Sequence, residues 1–394
     1  MKVLVAHNHY QQPGGEDQAF AAETGLLEKR GHTVVRLVAD NNQICSMAKF
    51  SLARATVWSS AAHREVRAVL RRERPDVMHV HNTFPLLSPA IYFAARDEGV
   101  PVVQTLHNYR LICPNALLFR DGRVCEDCVG KIAPLPGVLH ACYRGSRATS
   151  AVVAAMLTAH NAIGTWGRVV DLFIVLTEFA RKKFVAGGLP ADRMFVKPNF
   201  VDPDPGVGPR DGEYFLFVGR LVPEKGLDTL LSAWERGNIA SDAELRIIGD
   251  GPLAEYVRAR AAATARVKYL GAQARDRVLA EMRGARCLVF PTMLYEGFPF
   301  VIAEAFAVGL PVIGTDRGAA ASLIAPGRTG LHFAPGDPAH LRAQLRWAVD
   351  HSDAMREMGD RARLVYEAEL TADRNYALLT RAYAKVGVQR AQHG

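Results

Sequence analysis

The chain has 394 residues, of which 49% are apolar and 22% charged, and its formal net charge is +8. That length exceeds one hydrophobic core and predicts two domains. No uncharged apolar run approaches the roughly 18 residues of a spanning helix, so no candidate membrane-spanning helix is present. The charge is one-sided: residues 1–200 hold 24 Lys+Arg against 16 Asp+Glu, which leaves 24 against 24 for the rest.

The opening Met1-Lys-Val-Leu-Val-Ala-His7 is too short and too quickly polar for a signal peptide and reads as a first strand. The expected location is therefore cytoplasmic, where the six cysteines should be thiols or metal ligands. Short β-branched strands follow in alternation with helical stretches: Val3–Ala6, Thr33–Leu37, Val77–Val80, Val102–Leu106 and Leu172–Leu176. A second series comprises Tyr214–Val218, Glu244–Ile248, Val267–Tyr269, Cys287–Phe290 and Pro311–Gly314. This is the α/β signature, and it predicts two Rossmann-like doubly wound domains facing a cleft. The Pro/Gly-dense Asp202–Pro209 reads as a linker. The expected domains are residues 1–203 and 204–371, with a terminal helix in 372–394 that could reach back over the first domain.

In open parallel sheets ligands sit beyond the carboxyl ends of the strands. Three N-terminal strands end in the same dipeptide, His7-Asn8, His81-Asn82 and His107-Asn108, and should converge on one crevice. One such histidine alone is more often a packing residue than a catalytic one. After the first strand, Pro13-Gly14-Gly15 allows close approach of backbone to a phosphate. The stretch Arg64–Arg74 is a basic helix, read as a solvated face or as an attraction for an anionic membrane surface or a pyrophosphate-bearing acceptor. No aromatic-interleaved basic motif points to nucleic acid.

An insert of about 109–147 carries Cys113, Cys125, Cys128 and Cys142. The Cys125-x2-Cys128 spacing is that of a knuckle, so the four are either a structural zinc site or reduced thiols in a long loop.

In the second series, Gly219-Arg220 and Lys225-Gly226 set two cations at a strand end, a fork and a point charge suited to a leaving diphosphate without a metal. Ordinary surface cations are the alternative. Gly249-Asp250-Gly251-Pro252 ends another strand and fits a nucleotide-lining edge. Glu296-Gly297-Phe298-Pro299-Phe300 then leads into a helix expected over 299–308, in which Glu304 is the only charge among apolar residues. The open amides at this helix start form an anion site. At about 1.5 Å rise per residue the two carboxylates lie too far apart to act on one bond, so they look like two grips on an elongated polar ligand. Glu304 could instead answer a buried Arg.

Taken together, Gly219-Arg220 with Lys225-Gly226, the Gly249–Pro252 turn, Glu296-x7-Glu304 and the His81-Asn82-Thr83 and Thr105–Asn108 strand ends resemble the retaining glycosyltransferases of the GT-B fold, family 4. The resemblance spans nearly the whole chain. It implies a hexosyltransferase that moves a sugar from a nucleoside diphosphate sugar to a hydroxyl acceptor with retention of configuration, in cell-surface polysaccharide or glycoconjugate synthesis. It also implies that Arg220 and Lys225 bind the donor diphosphate, Glu304 the ribose, and Glu296 with the Phe298–Phe300 amides the donor sugar, with His107 near sugar and acceptor. Many relatives have Asp after that histidine, where this chain has Asn108.

The expected catalytic residues are His107, Arg220, Lys225 and Glu296. The expected binding residues are Gly14, Gly15, His81, Asn82, Asn108, Gly219, Gly249, Gly251, Gly297, Phe298, Pro299, Phe300 and Glu304. No metal is expected in catalysis, because the only Asp-x-Asp, at Asp202 and Asp204, lies in the linker. The expected acceptor is a hydroxyl, with that of a lipid-linked saccharide at the inner face of a membrane as one candidate. A nucleotide-sugar epimerase of the same fold and a non-catalytic nucleotide-sugar binder are the alternatives.

Overall fold

The computed structural model describes residues 1–12, 14–209, 211–235, 239 and 243–391. Pro13 lies outside the described residues. The chain divides into two compact units. One comprises Met1–Leu118, Cys125–Asn199 and the chain from Asn375 on, and the other Phe119–Val124 and Phe200–Arg374.

The first unit is built on β1 (Lys2–His9), β2 (Thr33–Asp40), β3 (Val77–Val80) and β4 (Val102–Leu106). A two-stranded antiparallel hairpin of β5 (Phe119–Arg120) and β6 (Arg123–Val124) interrupts the chain, and β7 (Leu172–Val175) and β8 (Met194–Val196) complete the sheet. The sheet order is β2-β1-β3-β4-β7-β8, with every pairing parallel. Parallel strands need helical crossovers, and helices on both faces bury both sides of each strand. Hence Val3, Leu4, Val5 and Ala6 form an uninterrupted apolar run, each at most 1% exposed. The order reverses between β1 and β3, so the crevice beyond their carboxyl ends is the natural ligand position.

The final helix, Ala372–Ala391, sets Leu379, Ala382, Tyr383 and Val386 at helical spacing into the core formed by Val3, Val5, Val77, Val103 and Ile174. On the basic helix Ser60–Glu73 only Ala62, Val66 and Leu70 are buried, while Arg67 and Arg71 reach Glu98 at 2.8 and 3.0 Å. That is a solvated face with one apolar seam.

The second unit repeats the plan with β9 (Tyr214–Val218), β10 (Glu244–Ile248), β11 (Val267–Gly271), β12 (Cys287–Phe290), β13 (Val312–Thr315) and β14 (Gly330–Phe333). Its order is β11-β10-β9-β12-β13-β14, again all parallel, with the reversal between β9 and β12. The expected linker around Asp202–Pro209 is no loose tether. Asp204 is clamped by Arg363 at 2.6 Å and the Gly208 N–H donates to the Val308 carbonyl at 3.2 Å, so the segment lies along the second unit.

Candidate active site

In the first unit the His-Asn strand ends do come together, but the side chains differ in what they leave available. Asn82 is buried, with its Nδ2 donating to the Asn8 carbonyl at 2.8 Å and its Oδ1 accepting from the Phe84 N–H at 2.9 Å. It ties two strand ends together rather than offering itself to a ligand, which revises its expected binding role. Asn108 donates to Glu16 Oε2 at 3.0 Å and to the Tyr10 hydroxyl at 3.2 Å. His81 is buried and its Nδ1 lies 2.9 Å from Nε2 of the half-buried His107.

Gly14 is the N-cap of helix Gly15–Lys29, and its N–H donates to Asp17 Oδ2 at 2.8 Å. The same carboxylate holds His7 Nε2 and His9 Nδ1, each at 2.9 Å from Oδ1. Burial pushes the Asp17 carboxyl up, yet the bonds from His7, His9 and the Gly14 amide outweigh it and keep it well below the usual range. A phosphate at Gly14 must therefore displace an ionised carboxylate, a cost that Gly14-Gly15 alone does not reveal. Glu16, buried beside it, behaves oppositely: desolvation raises its carboxyl to about 8 against the bonds from Tyr10 and Asn108.

In the second unit the motifs gather at the carboxyl ends of β9, β10 and β12. The Gly219 N–H donates to the Ile248 carbonyl, the Leu221 N–H to the Asp250 carbonyl, and the Met293 N–H to the Glu224 carbonyl, at 3.1, 2.8 and 2.8 Å. Gly249, at φ 146°, sits so close that a Cβ would meet the Gly219 carbonyl oxygen at 1.9 Å, and one on Gly251 would meet the Leu221 oxygen at 2.7 Å. Close approach of two turns thus accounts for both glycines, whatever binds nearby.

The lacing brings Lys225 Nζ within 2.6 Å of Glu296 Oε1, which also accepts from the buried Thr292 hydroxyl at 2.9 Å. Burial pushes the Glu296 carboxyl up, but the charge and hydrogen bond of Lys225, the Thr292 bond and the charge of Arg220 hold it below its ordinary value. Arg220 itself is exposed. The following helix is Phe300–Ala307, with Pro299 as its N-cap rather than its first helical residue, and no side chain caps this start. Phe298 is buried and meets Phe300 edge to face at 5.9 Å, which fixes the approach of Gly297 to the helix. Ile302, Ala303, Ala305 and Phe306 are fully buried, whereas Glu304 lies 3.3 Å from Arg275 Nε, a half-exposed partner. Glu304 does meet an Arg, but one at the surface rather than the buried Arg of the alternative reading, and there a ligand hydroxyl can replace it.

The cysteines fall in one neighbourhood. Cys113 and Cys128 are buried, and burial together with the nearby Cys113, Cys142 and Cys125 thiols pushes Cys128 up to about 11. Among the described residues, the groups with three potential metal-ligand atoms within 4.8 Å of one another are His7/His9/Asp17 and Glu23/His79/His81, and neither contains a cysteine. Sequence reasoning missed Thr292, Arg275, Glu16 and Glu23. The last two carried a signal, since Glu16, Phe20, Glu23 and Leu27 lie on one buried stripe of helix Gly15–Lys29.

Two doubly wound units, each with polar groups at its topological switch point, define a two-domain α/β Rossmann-like class of fold. Comparison with known proteins narrows the class. The model of the glycosyl transferases group 1 matches residues 203–365 and that of Glycosyltransferase Family 4 residues 23–205. The chain belongs to the group 1 / family 4 glycosyltransferases.

D-rhamnosyltransferase WbpZ of Pseudomonas aeruginosa is 35% identical over 170 residues, spanning 42% of this chain and only 43% of the relative. Glycogen synthase of Mycobacterium tuberculosis is 27% identical over 347 residues, 84% of this chain and 74% of its own. In structure the chain is similar to sucrose-phosphate synthase of Thermosynechococcus elongatus, with a TM-score of 0.73, 16% identity and coverage of 98% and 99%. Anabaena HepE in complex with UDP-glucose follows at a TM-score of 0.67, 15% identity and coverage of 100% of both chains.

Proposed function

We propose that this chain transfers a glycosyl group from a nucleoside diphosphate sugar, held by the second unit, to a hydroxyl acceptor recognised by the basic first unit, with retention of configuration. The observation that carries the reading is the convergence of Arg220, Lys225, Glu296 and an uncapped helix start at the β9/β12 switch point. Two cations and a helix dipole aimed at one place stabilise a departing diphosphate, and the negative charge that develops there is where electrostatic stabilisation is most effective. The leaving diphosphate then serves as the base for the acceptor hydroxyl. Lys225 moves from Glu296 to the phosphates as the donor enters, which frees the carboxylate for sugar hydroxyls. HepE, a protein of the same fold, is solved with UDP-glucose, which supports a nucleotide-sugar donor here.

A thermal-shift screen of nucleoside diphosphates and their sugars identifies the donor. Transfer to an acceptor panel, with the anomeric configuration of the product read by NMR, then tests the reaction. Arg220→Ala should abolish turnover with the fold intact, and full activity in that variant would refute the assignment. Donor converted in place without acceptor would show an epimerase.

A role in cell-surface polysaccharide or glycoconjugate synthesis belongs to the same proposal, and the relative named D-rhamnosyltransferase supports its sugar-transfer part alone. No helix among the described residues is long and apolar enough to cross a membrane. Peripheral contact with an anionic membrane is supported by the charge of the first unit and by exposed Phe50, Ile132, Leu135 and Leu139. Equal binding to neutral and anionic vesicles at low salt would remove it. Structural zinc on Cys113, Cys125, Cys128 and Cys142 requires the sulfurs to draw in around the ion. Folded, active protein purified without chelator and lacking zinc would overturn that assignment.

A further inference from the structure

Behind the strand ends of the first unit, side chains that the donor chemistry does not use form a continuous chain of contacts. Lys197, just past β8, is fully buried and ion-paired with Glu23 Oε1, itself buried on helix Gly15–Lys29. The other oxygen, Glu23 Oε2, lies 3.6 Å from His81 Nε2, and neither atom has a hydrogen-bond partner among the described residues. His79 stands alongside with both ring nitrogens engaged, Nδ1 by the Tyr383 hydroxyl and Nε2 by the Thr105 hydroxyl, each at 2.8 Å. His81 Nδ1 in turn lies 2.9 Å from His107 Nε2.

Glu23, His79 and His81 have the spacing of a metal site. The Lys197 ammonium already supplies the positive charge that an ion would bring, and its repulsion disfavours a second cation. The cluster is better read as a relay of hydrogen-bond polarity.

Burial keeps all three imidazoles neutral near pH 7: it lowers His79 to about 4 and both His81 and His107 well below their ordinary value. A neutral imidazole carries one N–H and one lone pair. A lone pair on His81 Nε2 would face the Glu23 carboxylate with no hydrogen between them, whereas a proton there gives an attractive N–H···O⁻ contact. The proton therefore belongs on His81 Nε2 and the lone pair on Nδ1. His107 must then donate its Nε2–H to His81, which leaves a lone pair on His107 Nδ1.

We propose that Glu23, anchored by Lys197, sets the tautomer of His107 through His81, so that His107 offers its Nδ1 lone pair to a hydroxyl of the acceptor. Glu23 and Lys197 are positioning residues, and the carboxylate acts by orienting an imidazole rather than by taking a proton. The activity consequence rests on the transferase reading, whereas the tautomer does not.

Glu23→Gln tests the relay, because it keeps the shape and reverses the polarity. Lys197 requires an acceptor, so the Gln oxygen faces Lys197 and its NH2 faces His81. His81 Nε2 must now accept, His81 Nδ1–H donates to His107 Nε2, and the proton of His107 moves to Nδ1.

Long-range 15N–1H NMR of the full chain labelled at histidine, with His107→Asn for assignment, should show His107 protonated at Nε2 in the wild type and at Nδ1 in E23Q. Turnover of the donor found by the screen should fall roughly ten- to hundredfold in E23Q. Glu23→Asp, which keeps the carboxylate, should retain the wild-type tautomer and recover most of that loss. A wild-type His107 protonated at Nδ1 or at both nitrogens overturns the proposal, and that spectrum decides even where E23Q fails to fold. A flipped tautomer with undiminished turnover overturns the positioning role. Absence of wild-type turnover across the donor panel counts against the transferase reading and leaves the spectra to judge the relay.

Discussion

Replacing Lys225 by alanine removes one partner of the closest ion pair at the second-unit site. Lys225 Nζ lies 2.6 Å from Glu296 Oε1, with the two side chains 19% and 15% exposed. An exposed pair is worth at most about 1 kcal/mol, and a hydrogen bond to a charged group in a drier setting about 1.5–3 kcal/mol. At this burial the expected loss is about 2 kcal/mol. For a unit of this size, that lowers its melting temperature by about 4–8 °C. Glu296→Gln should cost less, because Thr292 still bonds the amide. The double variant should be about as stable as K225A alone, a coupling of roughly 1 kcal/mol or more.

The pH dependence has a definite sign. Glu296 is held below its ordinary 4.5, so the unfolded chain binds the proton more readily. Its stabilising contribution is present above 4.5 and lost as pH falls through the lower folded value. K225A should weaken this acid limb. Thermal and urea unfolding measure each quantity. Additive single variants, with the acid limb unchanged, would refute the pairing. In a donor assay the same substitution should cost roughly 100- to 1,000-fold in turnover.

Gly249→Ala puts a Cβ 1.9 Å from the Gly219 oxygen at a φ of 146°. It should destabilise the second unit by about 3 kcal/mol or more in urea unfolding. Leu379→Ala on the C-terminal helix empties a fully buried position in the core of the first unit and should cost about 2–4 kcal/mol by the same measurement. Glu16, raised to about 8, should lower stability as pH climbs from 4.5 to 8, because the unfolded carboxyl ionises first. Glu16→Gln should remove that slope, so its advantage over the wild type grows across the window. Melting curves at a series of pH values show it, and parallel curves would refute it.

Five strands, Val77–Val80, Val102–Leu106, Tyr214–Val218, Glu244–Ile248 and Cys287–Phe290, stand where short β-branched runs between turn signals put them. The signal was strong because strands covered on both faces must be apolar throughout. Met194–Val196 and Gly330–Phe333 escaped it. They are short edge strands, partly exposed, and so are not held to a continuous apolar run.

The placement of much of the candidate site was also legible, because glycines and charges at the ends of apolar strands mark where a doubly wound fold opens to ligands. Partners were not legible. Lys225 and Glu296 are 71 residues apart, and Lys197 and Glu23 are 174 apart. Periodicity reports which face of an element is buried, and nothing in it says which distant charge will share that space. Composition, strand rhythm and the Gly219–Gly226 and Glu296–Glu304 motifs therefore determined the fold class and the position of the candidate site. Only the tertiary structure decided that Asn82 ties strand ends, that Asp17 occupies the Gly14 amide, and that a buried Lys197–Glu23 pair stands beside His81, because sheet order brings those groups together.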